Sequence, residues 1–182
     1  MPAANRVRQG LRALFAFTRP VDHALAVVYL NPQQVILFEQ MRRSEQLHSL
    51  NVLRDVLTLE SSQGDAIGKV GFADLALAAL LHDVGKTRYP LAIWQKTLAV
   101  LVRAFAKPIY QQWSEGDPAH LWQRAFVVAE QHPAWSVALV SETDASDRAL
   151  WLIAHHADKA AQWQDHPCVH LLKRLQQADD AN

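Results

Sequence analysis

The side chains of this sequence whose types and spacing could do chemistry are five histidines and two aspartates. Imidazole nitrogens and carboxylate oxygens together suit divalent Mn, Fe, Co or Ni better than Mg, which prefers oxygen ligands alone. A thiolate site is excluded, because the chain has a single cysteine, Cys168. The candidates for a divalent metal site are, in chain order, His48, His82, Asp83, His132, His155, His156 and Asp179.

The spacing of these candidates is long. From His48 to His82, Asp83 to His132, His132 to His155 and His155 to Asp179 the steps are 34, 49, 23 and 24 residues. Each step has room for roughly one helix and its connection. The spacing therefore differs from that of a short-range metal motif and predicts that the candidates come from different helices.

The stretch that must position the others is Leu75 to Lys86, with the sequence LALAALLHDVGK. Its first seven residues are apolar helix formers, which predicts a buried helix that ends at His82 and Asp83. Gly85 then predicts a turn through a left-handed conformation. Ionisable groups beside so much apolar surface are costly unless a bound divalent cation or a similar partner compensates them. The alternative interpretation is a surface pair that caps a core helix.

The other helices are predicted from their starts and ends. A capping residue followed by proline marks three starts, at Asn31-Pro32, Asp117-Pro118 and His166-Pro167. Ser44 is the predicted cap of a helix that reaches about Glu60, and Ser146 that of a helix ending at the His155-His156 pair. Residues 61–71 and 111–117 are predicted connections. No alternating strand pattern occurs, so the predicted fold is an all-α, single-domain helical bundle.

Pro133 carries a further prediction. A proline biases the residue before it away from helical geometry. We therefore expect His132 to lie at a break between two helices, with its side chain free to enter a cleft.

The bulk composition limits the partners. The 182 residues are half hydrophobic and carry 18 basic and 18 acidic side chains, which predicts one core and no nucleic-acid partner. No apolar stretch is long enough for an export signal or a membrane span, so a cytoplasmic protein is expected. Residues 1–30 are expected to form a basic amphipathic helix and a lead-in, and residues 31–182 the main domain. That helix would pack on the domain, on a second subunit of a homo-oligomer or on a membrane surface.

The motifs LLHDVGK, EQHP and LIAHH, with the weaker QQADDAN, carry a family resemblance. Taken in this order, they resemble the binuclear branch of the HD superfamily of metal-dependent phosphohydrolases. The resemblance covers the chain from about His48 to Asp179 and implies a helical bundle of the HD-domain type around a metal pair.

The resemblance also implies roles for the candidates. The first metal would be held by His48, His82, Asp83 and Asp179. Asp83 would bridge to a second metal held by His132 and His155. His156 would be a third ligand, a phosphate contact or only a neighbour. Lys86, close after the dyad, would receive the charge of a phosphate, and its alternative role is that of a solvated turn lysine. The remaining histidines, His23, His120, His166 and His170, have no counterpart and are expected to be structural or exposed.

The function implied by the resemblance is hydrolysis of a nucleotide or another small phosphorylated substrate by a metal-activated hydroxide, with Asp83 and Lys86 as catalytic residues. Cyclic-dinucleotide specificity is not implied, because no glycine follows His132 and Ala157-Asp158 follows the histidine pair. A diiron oxygenase with a similar ligand set is the alternative enzyme. A non-catalytic HD module for signalling or binding is the alternative outside enzymes.

Overall fold

A computed structural model describes residues 20–63 and 68–182, and within these ranges the protein consists of helices and their connections, without a strand. The predicted all-α fold is therefore confirmed. The amphipathic helix predicted near the N-terminus lies outside the described residues. None of the helices within these ranges is both long and apolar enough to cross a membrane.

Nine α-helices lie in the described ranges, joined by three short 3-10 helices. The α-helices are α1 (His23–Tyr29), α2 (Pro32–Gln40), α3 (Arg43–Gln63), α4 (Gly68–Leu81), α5 (Ile93–Phe105), α6 (Lys107–Ser114), α7 (Arg124–Val140), α8 (Asp147–His155) and α9 (Val169–Ala181). The 3-10 helices span Val84–Arg88, Ser141–Thr143 and Ala160–Trp163.

The second half of α4 is the centre of the main core. Its residues from Leu75 to Leu81 are buried on every side, as expected for a helix that is apolar all round. Helices α3, α8 and α9 pack around it, and α1 and α2 close one end. A second, smaller core lies between α5, α6 and α7, around Tyr110 and Phe126. The ionisable end of α4 therefore lies among packed helices.

Two of the predicted helix starts are confirmed. The Asn31 side chain accepts from the Gln34 backbone N–H at 2.9 Å, and the Gln34 side chain accepts from the Asn31 backbone N–H at 3.0 Å. The Ser146 hydroxyl accepts from Ala149 N at 3.1 Å. These bonds satisfy N–H groups that the first helical turn leaves without partners.

Other predicted boundaries are wrong. Helix α7 begins at Arg124, because Asp117 accepts from Ala119 N in a tight turn instead of capping a helix. Helix α9 begins at Val169, two residues after Pro167. Both predicted connections are shorter than expected, since they contain parts of α3, α4 and α6.

The predicted helix break at Pro133 is also wrong, because α7 runs through it. Pro133 has no N–H, so it leaves the carbonyl of Ala129 without its helical donor. The imidazole Nδ1 of His132 lies 3.1 Å from that oxygen and 2.9 Å from the carbonyl of Val128. The imidazole of His132 thus takes the place of the backbone donor that Pro133 lacks.

Gly85 does not adopt the predicted left-handed conformation; it lies in the 3-10 helix that follows α4. Its need for glycine is spatial. A Cβ atom here would overlap the carbonyl oxygen of His132 and lie 2.7 Å from Ser136 N. Close approach to α7, rather than an unusual φ, is therefore the reason for glycine in the HDVGK turn.

Candidate metal centre

Six of the seven candidate ligands meet at the end of α4. His82 and Asp83 follow its last residues, and α3 supplies His48. Helix α7 supplies His132, and α9 supplies Asp179. The sixth is His156, directly after α8. As the spacing predicts, these six residues lie in or directly after five different helices.

Asp83, His132 and His156 form what we call the inner cluster. His132 Nε2 lies 3.3 Å from Asp83 Oδ1, and His156 Nε2 lies 3.8 Å from the same oxygen. The two Nε2 atoms are 3.1 Å apart. Each of these side chains is at most 7% exposed, so their mutual contacts are shielded from water.

Backbone carbonyls fix the tautomers of the inner histidines. His132 Nδ1 lies 2.9 Å from Val128 O, and His156 Nδ1 lies 2.8 Å from Ile153 O. Because a carbonyl accepts hydrogen bonds, the proton of each ring belongs on Nδ1. Both Nε2 atoms then present lone pairs toward each other and toward Asp83. Such an arrangement needs a positive charge between them.

His82 supplies an orphaned ligand atom. Its Nδ1 lies 3.1 Å from Ala79 O, so its Nε2 also carries a lone pair. That Nε2 is buried and has no hydrogen-bond partner within the described residues. It lies 3.7 Å from a carboxylate oxygen of Asp83 and 3.7 Å from one of Asp179. A divalent cation would satisfy the nitrogen and both carboxylates, so the donor set fits the metal that was expected.

His48 and Asp179 form what we call the outer pair. His48 Nε2 lies 2.8 Å from Asp179 Oδ1. The His48 side chain is 27% exposed and that of Asp179 33%. With His82 between them and the inner cluster, two groups of three residues have ligand atoms close enough for one ion each: His48, His82 and Asp179, and His82, Asp83 and His156.

The structure does not bring His155, which the resemblance implies as a ligand of the second metal, to the other six residues. His155 points to Asp158, with 2.7 Å between Nδ1 and Oδ2, and packs against Trp151 and Trp163. Consecutive helical residues point about 100° apart, so one of the histidine pair can face the site. His156 continues the buried face of α8, being three residues after Ile153. Of the roles left open for His156, that of a ligand therefore fits best.

The electrostatics prepare these groups for a cation. Burial, together with the charge of His82, lowers the pKa of His156 to about 3. Burial also lowers the pKa of His82, against the attraction of Asp83. Burial alone would raise the pKa of Asp83, but Lys86, His82 and His132 outweigh it and hold that pKa well below its usual range. Neutral imidazoles and an ionised carboxylate are the forms that bind metals.

Lys86 lies against Asp83, with 2.6 Å between Nζ and Oδ2. Burial alone would lower the pKa of Lys86, but the Asp83 carboxylate raises it. The ammonium therefore stays charged and balances the buried carboxylate. About a quarter of the lysine side chain is exposed, 26%, so it also reaches the rim of the site.

Two residues that support the site were missed in the sequence. The Ser136 hydroxyl donates to His82 O at 2.7 Å and accepts from Gly85 N at 2.8 Å, which ties the HDVGK turn to α7. Gln176 Nε2 donates to the carbonyls of His156 at 3.0 Å and Asp158 at 2.7 Å. Helical spacing is the signal for both, since Ser136 lies four residues after His132 and Gln176 three before Asp179.

Comparison with known proteins identifies a family for the chain. The HD domain family model matches residues 47–181 of the chain, which includes all six converging residues. No curated protein and no solved structure matches the chain significantly. The protein belongs to the HD domain family, and its His and Asp side chains form groups that could hold a metal.

Proposed function

We propose that this protein is a metal-dependent phosphohydrolase that uses two divalent cations to cleave a nucleotide or another small phosphoester. The observation that carries the proposal is the buried, orphaned Nε2 of His82, between the carboxylates of Asp83 and Asp179. Family membership supports the reaction class. The presence of the complete ligand set argues against a non-catalytic module, which would not need it.

The residues divide between two ions. Asp83, His132 and His156 would hold the inner ion, and His48, His82 and Asp179 the outer one. Oδ1 of Asp83 lies toward His132 and His156, and its Oδ2 lies toward His82. When bound, the two cations would lower the pKa of a shared water, so that hydroxide would be available at neutral pH. Mn, Fe, Co or Ni suit this nitrogen and oxygen set better than Mg alone.

The chain itself supplies orientation and charge. The carbonyls of Ala79, Val128 and Ile153 hold the imidazole rings so that each Nε2 points into the site. The Lys86 ammonium, at the rim beside Asp83, is positioned to contact a phosphate oxygen as negative charge grows on it. The buried inner cluster excludes water. The partly exposed outer pair leaves an open side for a substrate.

The proposal is tested with the protein reconstituted with Mn²⁺ and assayed on a panel of nucleotides and activated phosphodiesters, in air and without oxygen. We expect cleavage of at least one ester at equal rates under both conditions, because hydrolysis involves no redox change. Lys86→Met should lower the rate about 10- to 100-fold and leave the metal content unchanged. Lys173→Met, at an exposed lysine of α9, is the matched control and should behave as the wild type.

Activity that requires iron, consumes oxygen and releases no phosphate or alcohol from any ester would contradict the proposal. It would favour a diiron oxygenase instead.

A further inference from the structure

An exposed apolar surface lies on the small core, on the part of the molecule made by α5, α6 and the segment before α7. Four large side chains define what we call the aromatic face: Trp94, Leu101, Phe105 and Trp122. Phe105 is 86% exposed and Trp122 65%. Large apolar side chains so exposed to water contribute little to folding, and a cluster of them indicates a binding surface.

The aromatic face is continuous along α5. Trp94, Leu101 and Phe105 are separated by seven and four residues, so they line one side of the helix. The Trp122 ring meets that of Trp94 at 5.6 Å between centroids and extends the face sideways. A different side of α5, with Gln95 and Ala99, is buried. The small core is thus already closed without these four residues.

The charge of the chain segment that carries α5 is one-sided. No acidic residue occurs between Asp83 and Glu115, whereas five basic residues do: Lys86, Arg88, Lys96, Arg103 and Lys107. Lys86 and Lys96 are paired with Asp83 and Glu45. Arg103 and Lys107, on either side of Phe105 in the sequence, are exposed. The nearest acids along the chain are Glu115 and Asp117, in the segment that leads to Trp122.

A second exposed apolar surface offers a contrast. Val27 and Val28 of α1 and Ile36 of α2 are more than half exposed. Residues 21–41 contain Asp22 and Glu39 and no Lys or Arg, but Asp22 pairs with Arg54 at 3.1 Å, and Arg42 and Arg43 follow directly in the sequence. The second surface therefore has charges of both signs nearby, whereas the segment that carries α5 is basic, so a comparison of the two separates the effect of basic charge from that of apolar exposure.

We infer that the aromatic face docks onto the surface of an anionic lipid bilayer. Aromatic and aliphatic side chains that project from a helix enter the boundary between headgroups and acyl chains, and basic neighbours attract anionic headgroups. Helix α5 has 13 residues, so it would lie in the plane of the surface rather than cross it. A second copy of the chain is a poorer occupant, because both copies would contribute the same basic residues, Arg103 and Lys107, to one two-fold interface.

The test is cosedimentation of the protein, residues 1–182, with vesicles of phosphatidylcholine, with and without phosphatidylglycerol. We expect binding to the anionic vesicles and at least about tenfold weaker binding to phosphatidylcholine alone. Leu101→Ser with Phe105→Ser should weaken binding to anionic vesicles about tenfold or more. Arg103→Glu with Lys107→Glu should have an effect of similar size, because each basic residue near the surface contributes several-fold.

The matched control is Val28→Ser with Ile36→Ser, which removes exposed apolar groups from the second surface and should leave vesicle binding unchanged. Circular dichroism and metal content verify that each variant is folded. Lack of wild-type binding to anionic vesicles would overturn the inference, as would equal binding to both kinds of vesicle. A dimer in light scattering that the Phe105 variant abolishes, without lipid binding, would assign the aromatic face to a second copy.

Discussion

The inner cluster and the outer pair of the metal centre are built differently. Asp83, His132 and His156 are buried, and backbone carbonyls of the preceding helical turns orient both imidazoles. His48 and Asp179 are about one third exposed and bond to each other at 2.8 Å. The inner cluster is therefore preorganised and desolvated, whereas the outer pair can exchange its mutual bond for an ion, a water or a substrate.

This difference assigns separate tasks to the two halves. Lone pairs that converge in a dry site favour tight retention of an ion. Ligands that border solvent favour weaker retention and access for substrate. We therefore expect the inner ion to bind more tightly than the outer one, and the variants below test this contrast from the largest effect to the smallest.

Replacement of Asp83 should have the largest effect, because its two oxygens face both halves of the centre. We expect Asp83→Ala to lose both ions and to lower phosphoester cleavage on the order of 10³-fold or more. Since Lys86 would then be left without its partner, Asp83→Ala with Lys86→Met provides a second variant with no unpaired buried charge. Metal analysis after dialysis decides the matter: retention of about two ions per chain by either variant would refute the bridging role.

The histidine pair gives a matched comparison at adjacent positions. His156→Ala should lose the inner ion and lower activity about 100-fold, and His132→Ala should behave in the same way. His155→Ala should keep both ions and change activity less than about fivefold, because His155 bonds to Asp158 and packs on tryptophans. Loss of an ion from the His155 variant, with full retention by the His156 variant, would reverse the assignment made here.

The outer pair should show a weaker effect. His48→Asn should lower the affinity for the outer ion about 10- to 100-fold and leave the inner ion in place, because it removes one exposed ligand. A chelator titration followed by metal analysis measures this. Release of both ions from the variant at the same chelator concentration would show that the two halves do not differ in retention.

The pH dependence of the metal-free protein should show the smallest effect. The pKa of His156 is about 3 in the folded chain, against an ordinary value of 6.5. In the unfolded chain, His156 therefore binds a proton below about pH 6.5, whereas in the folded chain it binds one only below about pH 3. The contribution of His156 is complete above pH 6.5 and is lost on acidification, with a slope of about 1.4 kcal/mol per pH unit.

Urea unfolding of the metal-free protein between pH 7 and pH 4.5 checks this slope. Metal-free His156→Asn should show a shallower dependence than the wild type, by about the contribution of one histidine. Equal slopes for the two proteins would mean that His156 is protonated alike in the folded and unfolded chains.

The sequence predicts the structure best where interactions between near neighbours in the chain dominate. The apolar run before His82 predicts the buried helix α4, and Asn31 and Ser146 predict the helices that they cap, because these signals act within one or two turns. Convergence of helices from distant parts of the chain was predicted from the family motifs. The positions within the site were predicted less well, since they depend on contacts between helices.

Gly85 and Pro133 illustrate why. Gly85 is required by the approach of α7, a contact 47 residues away along the chain at His132 that no local turn signal reveals. Pro133 leaves α7 intact, because the His132 side chain occupies the freed carbonyl. The choice between His155 and His156 was within reach of the sequence: the apolar positions Ala149, Leu152 and Ile153 of α8 place His156 on their face.

The most direct test of the central claim is the metal stoichiometry of the wild-type protein. After removal of metal with a chelator, equilibrium dialysis against Mn²⁺ or Co²⁺ with elemental analysis counts the ions bound at saturation. The account predicts two ions per chain, the first bound more tightly than the second, with His156→Ala limited to one. Saturation of the folded wild-type protein at one ion per chain or fewer would contradict it.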